Sequence, residues 1–501
     1  MDKGGILLRK KLPIFYSALL LTGVNLLLRF AGTSFQVYLS GRIGPAGIGL
    51  LQLVMSVGSL AMVAGIGGIR TATMYVTAEE LGKRRPQNIV WVLSGCLLYS
   101  ICFSGCVAAL LYHFAPWIAA VWIGDPRTIE ALRLFAAFLP VTCLCAVMTG
   151  YFTGANRIGT LAAVEVAEQL CSMCLTLGTL ALFAGNDPVR ACLCVIFGSA
   201  AGSILTLTCL VILRLRERTP SGPRIPVRTR LIQTAFPLAV ADDLKIGINT
   251  AENLMVPKRL ALNASVSNPL AAFGLVSGMV FPVIMFPAAI LFGLTELLIP
   301  ELARCSAADS QARIHYLVRK ALRVALIYGI TMGGLLFLLS DTLCSRLYGS
   351  LDAAAYMRAY ALLIPMLYCD IITDAMTKGL GQQKVCVRYN IFTSLLDVIF
   401  LYILLPRYGM DGYFISFLVT HIINFILSLR RLLKITIGTI PMYVPCLAAS
   451  AMVFGLWASS HSSNDFFSAI CFLPILTSLL FLFKVLQAED VRWLAGLVYK
   501  K

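Results

Sequence analysis

Apolar runs of helical length recur along the whole chain. Fourteen helices are expected, over 14–39, 46–78, 88–111, 129–152, 159–184, 190–213, 231–256, 270–299, 315–339, 356–377, 387–405, 412–429, 440–459 and 466–486. At about 1.5 Å per residue, most are long enough to cross a hydrocarbon layer about 30 Å thick. No segment alternates apolar and polar residues with the period of a strand. The pattern also repeats. A constant shift of 225 residues carries Gly49 onto Gly274, Gly68 onto Gly293, Gly124 onto Gly349, Arg133 onto Arg358, Pro140 onto Pro365 and Gly154 onto Gly379. The expected fold is therefore an all-α polytopic membrane protein of about 14 transmembrane helices. They form two pseudo-symmetric six-helix halves around a central cavity, followed by two extra helices. An even number of helices per half makes the repeats parallel about an axis along the membrane normal, which is a transporter architecture.

The segment Arg214–Arg230 is basic and rich in proline, and it separates the halves. The expected divisions are 1–219, 220–437 and 438–501, the last holding the extra pair and a tail whose residues 489–501 suit a short amphipathic surface helix. Gly65, Gly67 and Gly68 interrupt the second helix, and Pro282 and Pro287 interrupt the eighth. Kinks are expected at these similar places in the two halves.

Composition narrows the class further. The chain is 59% hydrophobic and 13% charged, with mean hydropathy +0.84. A soluble protein of 501 residues cannot hide that much apolar surface. Arg9, Lys10 and Lys11 precede an apolar run as in a signal peptide, but no small-residue cleavage site follows, so an uncleaved first helix is expected. The net charge of +17 does not point to nucleic acid, because 29 of the 41 basic residues fall in the segments on one side of the expected helices. This bias places both termini in the cytoplasm, with anionic lipid as the partner of the basic loops. No G-x-x-x-x-G-K-[ST] motif is present, so ATP binding through a P-loop is excluded. Energy must come from an ion gradient, the membrane potential or the substrate's own gradient. The pair Cys171 and Cys174 lies inside an apolar helix, where packing explains it better than redox or zinc chemistry.

Charges within a span are costly, so each marks a cavity or a pair. Thr22, Asn25, Arg29 and Gln36 form one polar stripe on the first helix. Asp242, Lys245, Asn249 and Glu252 form another on the seventh, the equivalent helix of the second half. Two such stripes suggest a hydrated cleft between the halves, or a Lys245 paired with Asp242 and Glu252 to knit the bundle. Arg29, Arg70 and Lys245 are the deepest cations, although Arg70 is equally placed to snorkel at the inner interface. Arg29 has no acid near it on its own helix, and a guanidinium fork in that position suits phosphate oxygens. With Asn25 and Asn249 these three make up the candidate substrate cavity. Asp242, Glu252, Glu296, Asp370, Asp374 and Asp397 are candidates for gating or for coupling to a monovalent cation or proton. Interhelical hydrogen bonding accounts for them equally well. The four histidines show no metal-binding spacing.

Several motifs carry a resemblance. Gly150-Tyr151-Phe152-Thr153-Gly154 with Glu168-Gln169, Met255-Val256-Pro257-Lys258-Arg259-Leu260 and Leu298-Ile299-Pro300-Glu301 resemble segments of the stage V sporulation protein B-like polysaccharide flippases. The helix layout is similar to that of lipid II-type flippases of the same multidrug/oligosaccharidyl-lipid/polysaccharide exporter superfamily. Thr153 stands where that family has glutamine. The resemblance implies flipping of an undecaprenyl-pyrophosphate-linked saccharide across a bacterial cytoplasmic membrane by alternating access. Arg29 would hold the pyrophosphate, no covalent chemistry or cofactor would be needed, and envelope-synthesis proteins would be partners. Three rival readings remain. A cation-coupled multidrug exporter would depend on acids such as Asp370, Asp374 or Asp242. A membrane enzyme would need larger outer loops than 112–128 and 257–269. A spore or envelope assembly factor would have lost transport.

Overall fold

The structure, a computed structural model, describes residues 14–83, 85–184, 187–217, 228–436, 443–459, 465–483 and 485. The described part of each expected span lies on helix. The first helix, Ile14–Ile66, breaks at Gly44, which adopts φ 71°. It thus supplies α1 (14–43) and the start of α2, which continues as Ile69–Gly82. Then follow α3 (Ile89–Trp117, extended by the wide turn Ile118–Ile123), α4 (Ile129–Gly154), α5 (Ile158–Thr179), α6 (Pro188–Leu215) and α7 (Arg228–Leu260). The eighth crossing, α8, runs from Pro269–Phe273 to Ala288–Ala307, and α9 is Gln311–Leu338. A short helix, Ser340–Tyr348, leads into α10 (Ala354–Ala361 with Ile364–Gly379). The helix Gln383–Thr436 breaks at Gly409 into α11 (383–408) and α12 (410–436). The last two are α13 (Tyr443–Ser459) and α14 (Asp465–Leu482).

Among the described residues, eight helices are long and apolar enough to cross a membrane, or ten if each of two bent pairs is one crossing. Two of the eight are the helices broken at Gly44 and Gly409, and each holds two of the expected spans. Large apolar side chains such as Leu98, Leu182, Phe183 and Val453 are exposed on the outside. An apolar exterior with the described backbone almost wholly helical suits a lipid environment. Asp125, Asp187 and Asn268 each accept a backbone N–H at 3.0 Å and precede a proline, the chemistry of a helix start. These three starts share one end of the bundle with Gly44 and Gly409. Lys83, Arg157 and Arg304 lie at the other, here termed the basic end.

The repeat is visible as contacts. A Cβ built on Gly154 would lie 2.6 Å from the Met74 carbonyl, and one on Gly379 would lie 3.0 Å from the Ile299 carbonyl. The 225-residue shift carries the first contact onto the second. Both glycines let α4 or α10 lie directly on the backbone of α2 or α8. Gly124 and Gly349, also related by the shift, end their helices in the left-handed region at φ 85° and 67°. The expected kinks occur. Gly67 and Gly68 break α2 at φ 49° and 68°, and α8 bends by 61° at the Phe286–Pro287 break.

The halves meet each other at the end opposite the basic one. A Cβ on Gly49 would lie 2.3 Å from the Leu270 carbonyl, and one on Gly274 would lie 1.9 Å from the Pro45 carbonyl. These two contacts are repeat-related equivalents, because the shift carries Gly49 onto Gly274 and Pro45 onto Leu270. The pseudo-two-fold axis therefore passes between α2 and α8 here. Gln36 Nε2 donates to the Gly278 carbonyl at 3.2 Å, Thr250 Oγ1 to the Ser56 carbonyl at 3.1 Å, and Asn253 Nδ2 to Ser56 Oγ at 3.0 Å. The bundle is closed at this end.

Candidate functional site

A cavity of about 440 Å³ lies within the second half, among α7, α8, α10, α11 and α12. It reaches from Asp397, midway along α11, to Lys378 in the last turn of α10. Lys245, Asp370, Asp374 and Asp397 line it together, so four of the expected residues converge. Of the two polar stripes, the one on α7 supplies this cavity with Lys245, and α1 supplies none of its lining residues. The hairpin at Gly409 folds α12 back on α11, and these two helices supply polar walls with Asn390, Thr393, Thr420 and Asn424.

Each acid is held differently. Asp370 Oδ2 accepts from Asn424 Nδ2 at 3.1 Å, while its Oδ1 is buried with no hydrogen-bond partner. Asp374 pairs with Lys378 at 2.6 Å, one turn along the same helix. Asp397 is 7% exposed and accepts from Ser416 at 2.5 Å and Thr420 at 3.2 Å, both from across the hairpin. Glu252 of α7 lies in hydrogen-bonding reach of Asp397. Glu252 thus faces Asp397, and the expected Lys245–Glu252 pair is not formed among the described residues. His421 stacks on Phe417, with ring centroids 3.8 Å apart, and its Nδ1 donates to the Phe417 carbonyl at 2.9 Å. The ring also lines the cavity, and Nε2 is left to accept.

Arg29 stands at the seam of the halves. Its guanidinium lies 4.2 Å from the centroid of the Phe292 ring, and Phe292 itself lines the cavity. Next to it, the Phe30 and Phe286 rings meet at 5.7 Å, which fixes α1 against the kink of α8. Among the described residues Arg29 makes no ion pair with an acid. Arg70 is elsewhere. It is exposed on α2 and its charge acts on Glu165 of α5, in the first half, so it is not part of this cavity. Asn249 is exposed on α7 and is not among the lining residues. The side chains of Asn25, Asp242 and Glu296 lie outside the described residues.

Asn390, Thr393, Thr420, His421 and Asn424 also line the cavity and were not among the expected site residues. They are uncharged groups on α11 and α12, and spacing alone gives no reason to prefer them to any other buried polar residue. The motif residues are largely structural. Gly150 packs on the Arg70 carbonyl, and Tyr151 donates to Glu217 at 2.6 Å. Arg157 also binds Glu217, and Glu301 holds Arg313 at 2.6 Å.

The comparisons with known proteins agree with this architecture. The MatE family model matches residues 22–177 and 261–403, more than half of the chain. The chain is 22% identical over 406 residues to stage V sporulation protein B of Bacillus subtilis (strain 168), covering 78% of this chain and 77% of that protein. It is 21% identical over 381 residues to sporulation protein YkvU of the same organism, covering 74% and 83%. Its fold is similar to the lipid II flippase MurJ in an inward closed conformation, with TM-score 0.68 and 15% identity over 94% of this chain and 99% of that one. It is also similar to an inward-facing multidrug resistance MATE family transporter, with TM-score 0.66 and 13% identity over 84% and 100%. The chain belongs to the MatE family, within the multidrug/oligosaccharidyl-lipid/polysaccharide exporter superfamily, and is a multi-pass membrane transporter.

Proposed function

We propose that this transporter flips an undecaprenyl-pyrophosphate-linked saccharide, a peptidoglycan precursor or polysaccharide repeat unit, across a bacterial cytoplasmic membrane. The observation that carries the reading is Arg29, a cation with no acid partner among the described residues, set on the ring of Phe292 at the cavity rim. A guanidinium presented this way suits the adjacent oxygens of a pyrophosphate. The basic bias supports cytoplasmic termini, and the closed end then faces outward. The two halves alternate the opening of the cavity, and the lipid tail stays in the bilayer. The named relatives, a sporulation protein and a lipid II flippase, support a lipid-linked substrate. The test is reconstitution. Proteoliposomes holding the native protein are expected to translocate a labelled lipid-linked oligosaccharide. Export of cationic dyes against a gradient, with no movement of the lipid-linked sugar, overturns the reading.

A second reading, the cation-coupled multidrug exporter, is favoured by the carboxylates that dominate the cavity. Both readings use the acids for coupling. The buried, unsatisfied Oδ1 of Asp370 faces the choice of a proton or a monovalent cation as its partner. Thermal unfolding of the detergent-purified protein is expected to shift with one of sodium, potassium or pH. A bound ion at a hundred times its dissociation constant stabilises by about 2.7 kcal/mol. Asp370→Asn should flatten that dependence. A native midpoint identical in sodium, potassium and choline, and unchanged between pH 5 and 8, removes the coupling role.

A further inference from the structure

At the other seam, where α2 and α3 meet α7, lie two cavities that the proposed cycle does not use. One, of about 460 Å³, is walled by apolar side chains of α2 and α3, among them Val57, Ala64, Leu111, Phe114 and Trp117. The other, of about 360 Å³, is walled by Gly247, Thr250, Leu254 and Met255 of α7. Leu60 and Trp122 line both, so the two cavities adjoin along one groove-shaped face. Lys258 and Arg259 also line the second cavity, at the last turn of α7. They belong to the Met255–Leu260 segment, which the transport cycle leaves without a role.

These cations are positioned but not neutralised. Lys258 Nζ donates to the Val121 carbonyl across the seam. Arg259 donates to the Tyr402 carbonyl from Nε at 3.2 Å and Nη2 at 3.0 Å, and its guanidinium lies 3.5 Å from the Tyr402 ring centroid. Among the described residues neither forms an ion pair with an acid. Cations in a last helical turn ordinarily answer the helix's own carbonyl ends, but both of these reach away to other helices. Each keeps N–H groups to spare, since an ammonium has three and a guanidinium five. Two fixed positive charges at the mouth of an apolar groove, at the end of a membrane-spanning helix, complement one kind of ligand. It has a phosphate at one end and a hydrocarbon chain at the other.

We propose that this groove holds a resident anionic glycerophospholipid. Its phosphodiester sits on Lys258 and Arg259, and one acyl chain runs past Leu60 and Trp122 toward Phe114. The 225-residue shift carries α1 onto α7 and α2 onto α8, so this seam is the repeat-related counterpart of the seam that holds Arg29. The site does not depend on the flippase reading, because the groove and its cations are present whatever the cavity carries.

Trp117 and Trp122 line the groove and report on it directly. The test uses the full chain with Trp91, Trp457 and Trp493 replaced by Phe, in phosphatidylcholine nanodiscs. These receive phosphatidylglycerol or phosphatidylcholine brominated on the acyl chains. Each cation near the surface is worth about fivefold, so brominated phosphatidylglycerol is expected to quench at a mole fraction about tenfold or more below its choline counterpart. Lys258→Ala with Arg259→Ala should abolish that preference. Ala64→Phe, which fills the groove and leaves both cations, should abolish it too, and it stands in should the double variant not fold. Equal quenching by the two lipids in the native protein overturns the proposal, as does a preference that survives in either variant. Displacement of the lipid by glycerol phosphate at equal concentration also overturns it, because the chain would then contribute nothing.

Discussion

Arg29→Ala is expected to abolish translocation of a lipid-linked oligosaccharide while leaving the fold intact. In the structure the Arg29 side chain is exposed at the seam, and the described contact that holds it is the ring of Phe292. A cation–π contact of this kind contributes about 0.5–2 kcal/mol, so its loss shifts the unfolding midpoint little. A pyrophosphate bound by the guanidinium fork forfeits far more. Hydrogen bonds to charged groups are worth about 1.5–3 kcal/mol each, and a bidentate pair makes two, equivalent to a hundredfold or greater loss of binding. Arg29→Lys keeps the charge but not the planar fork and should fall between. The assay is translocation in proteoliposomes at matched protein content, with the unfolding midpoint measured alongside. Native rates from the Ala variant would take the headgroup away from Arg29. If Asp370→Asn were at the same time inactive and dyes were transported, the exporter reading would replace the flippase.

Much of the architecture was legible because the residues that specify it are costly or conformationally special. An arginine in an apolar run such as Arg29 needs a reason, and glycine at a helix break such as Gly68 needs none but its missing Cβ. The recurrence of Gly49 as Gly274 and Gly154 as Gly379 could be read as a repeat, and the contacts they make are the reason for it. The candidate site was legible only where it is charged. Lys245, Asp370, Asp374 and Asp397 converge, but their grouping depends on the fold of α12 over α11 at Gly409. That fold brings in Asn424 and His421, which carry no signal of their own. Spacing placed Glu252 on the same stripe as Lys245, yet it meets Asp397. A helix stripe shows which residues share a face, whereas which neighbour covers that face is a tertiary fact. Arg70 lies away from this cavity for a related reason. Its charge acts on Glu165 in the first half, a neighbour that helix spacing does not name.

Gly274→Val is expected to hold the closed end open. A Cβ at Gly274 would lie 1.9 Å from the Pro45 carbonyl oxygen and 2.7 Å from the Gly49 nitrogen. Both are backbone atoms, so no rotamer change relieves the overlap and α2 must move away from α8. Overpacking of this kind costs about 1–3 kcal/mol or more. Moving a two-state equilibrium from 1:99 to 99:1 takes about 5.5 kcal/mol, so a penalty of about 3 kcal/mol brings a 99:1 closed population roughly to parity. Ile48, fully buried against Gly278 at this contact, reports the change. With the exposed Cys102, Cys106, Cys174 and Cys446 replaced by Ser, Ile48→Cys should resist a membrane-impermeant maleimide in the otherwise native protein. It should label readily once Gly274→Val is added. Gly41→Ala is the control, since a Cβ there meets only the Leu347 carbonyl at 3.8 Å. Unchanged labelling and native transport in Gly274→Val would show that this contact is not a gate. Because the repeat makes the two glycine contacts equivalent, Gly49→Val must give the same result as Gly274→Val. Opening by one and not the other would mean that the halves do not separate about their shared axis.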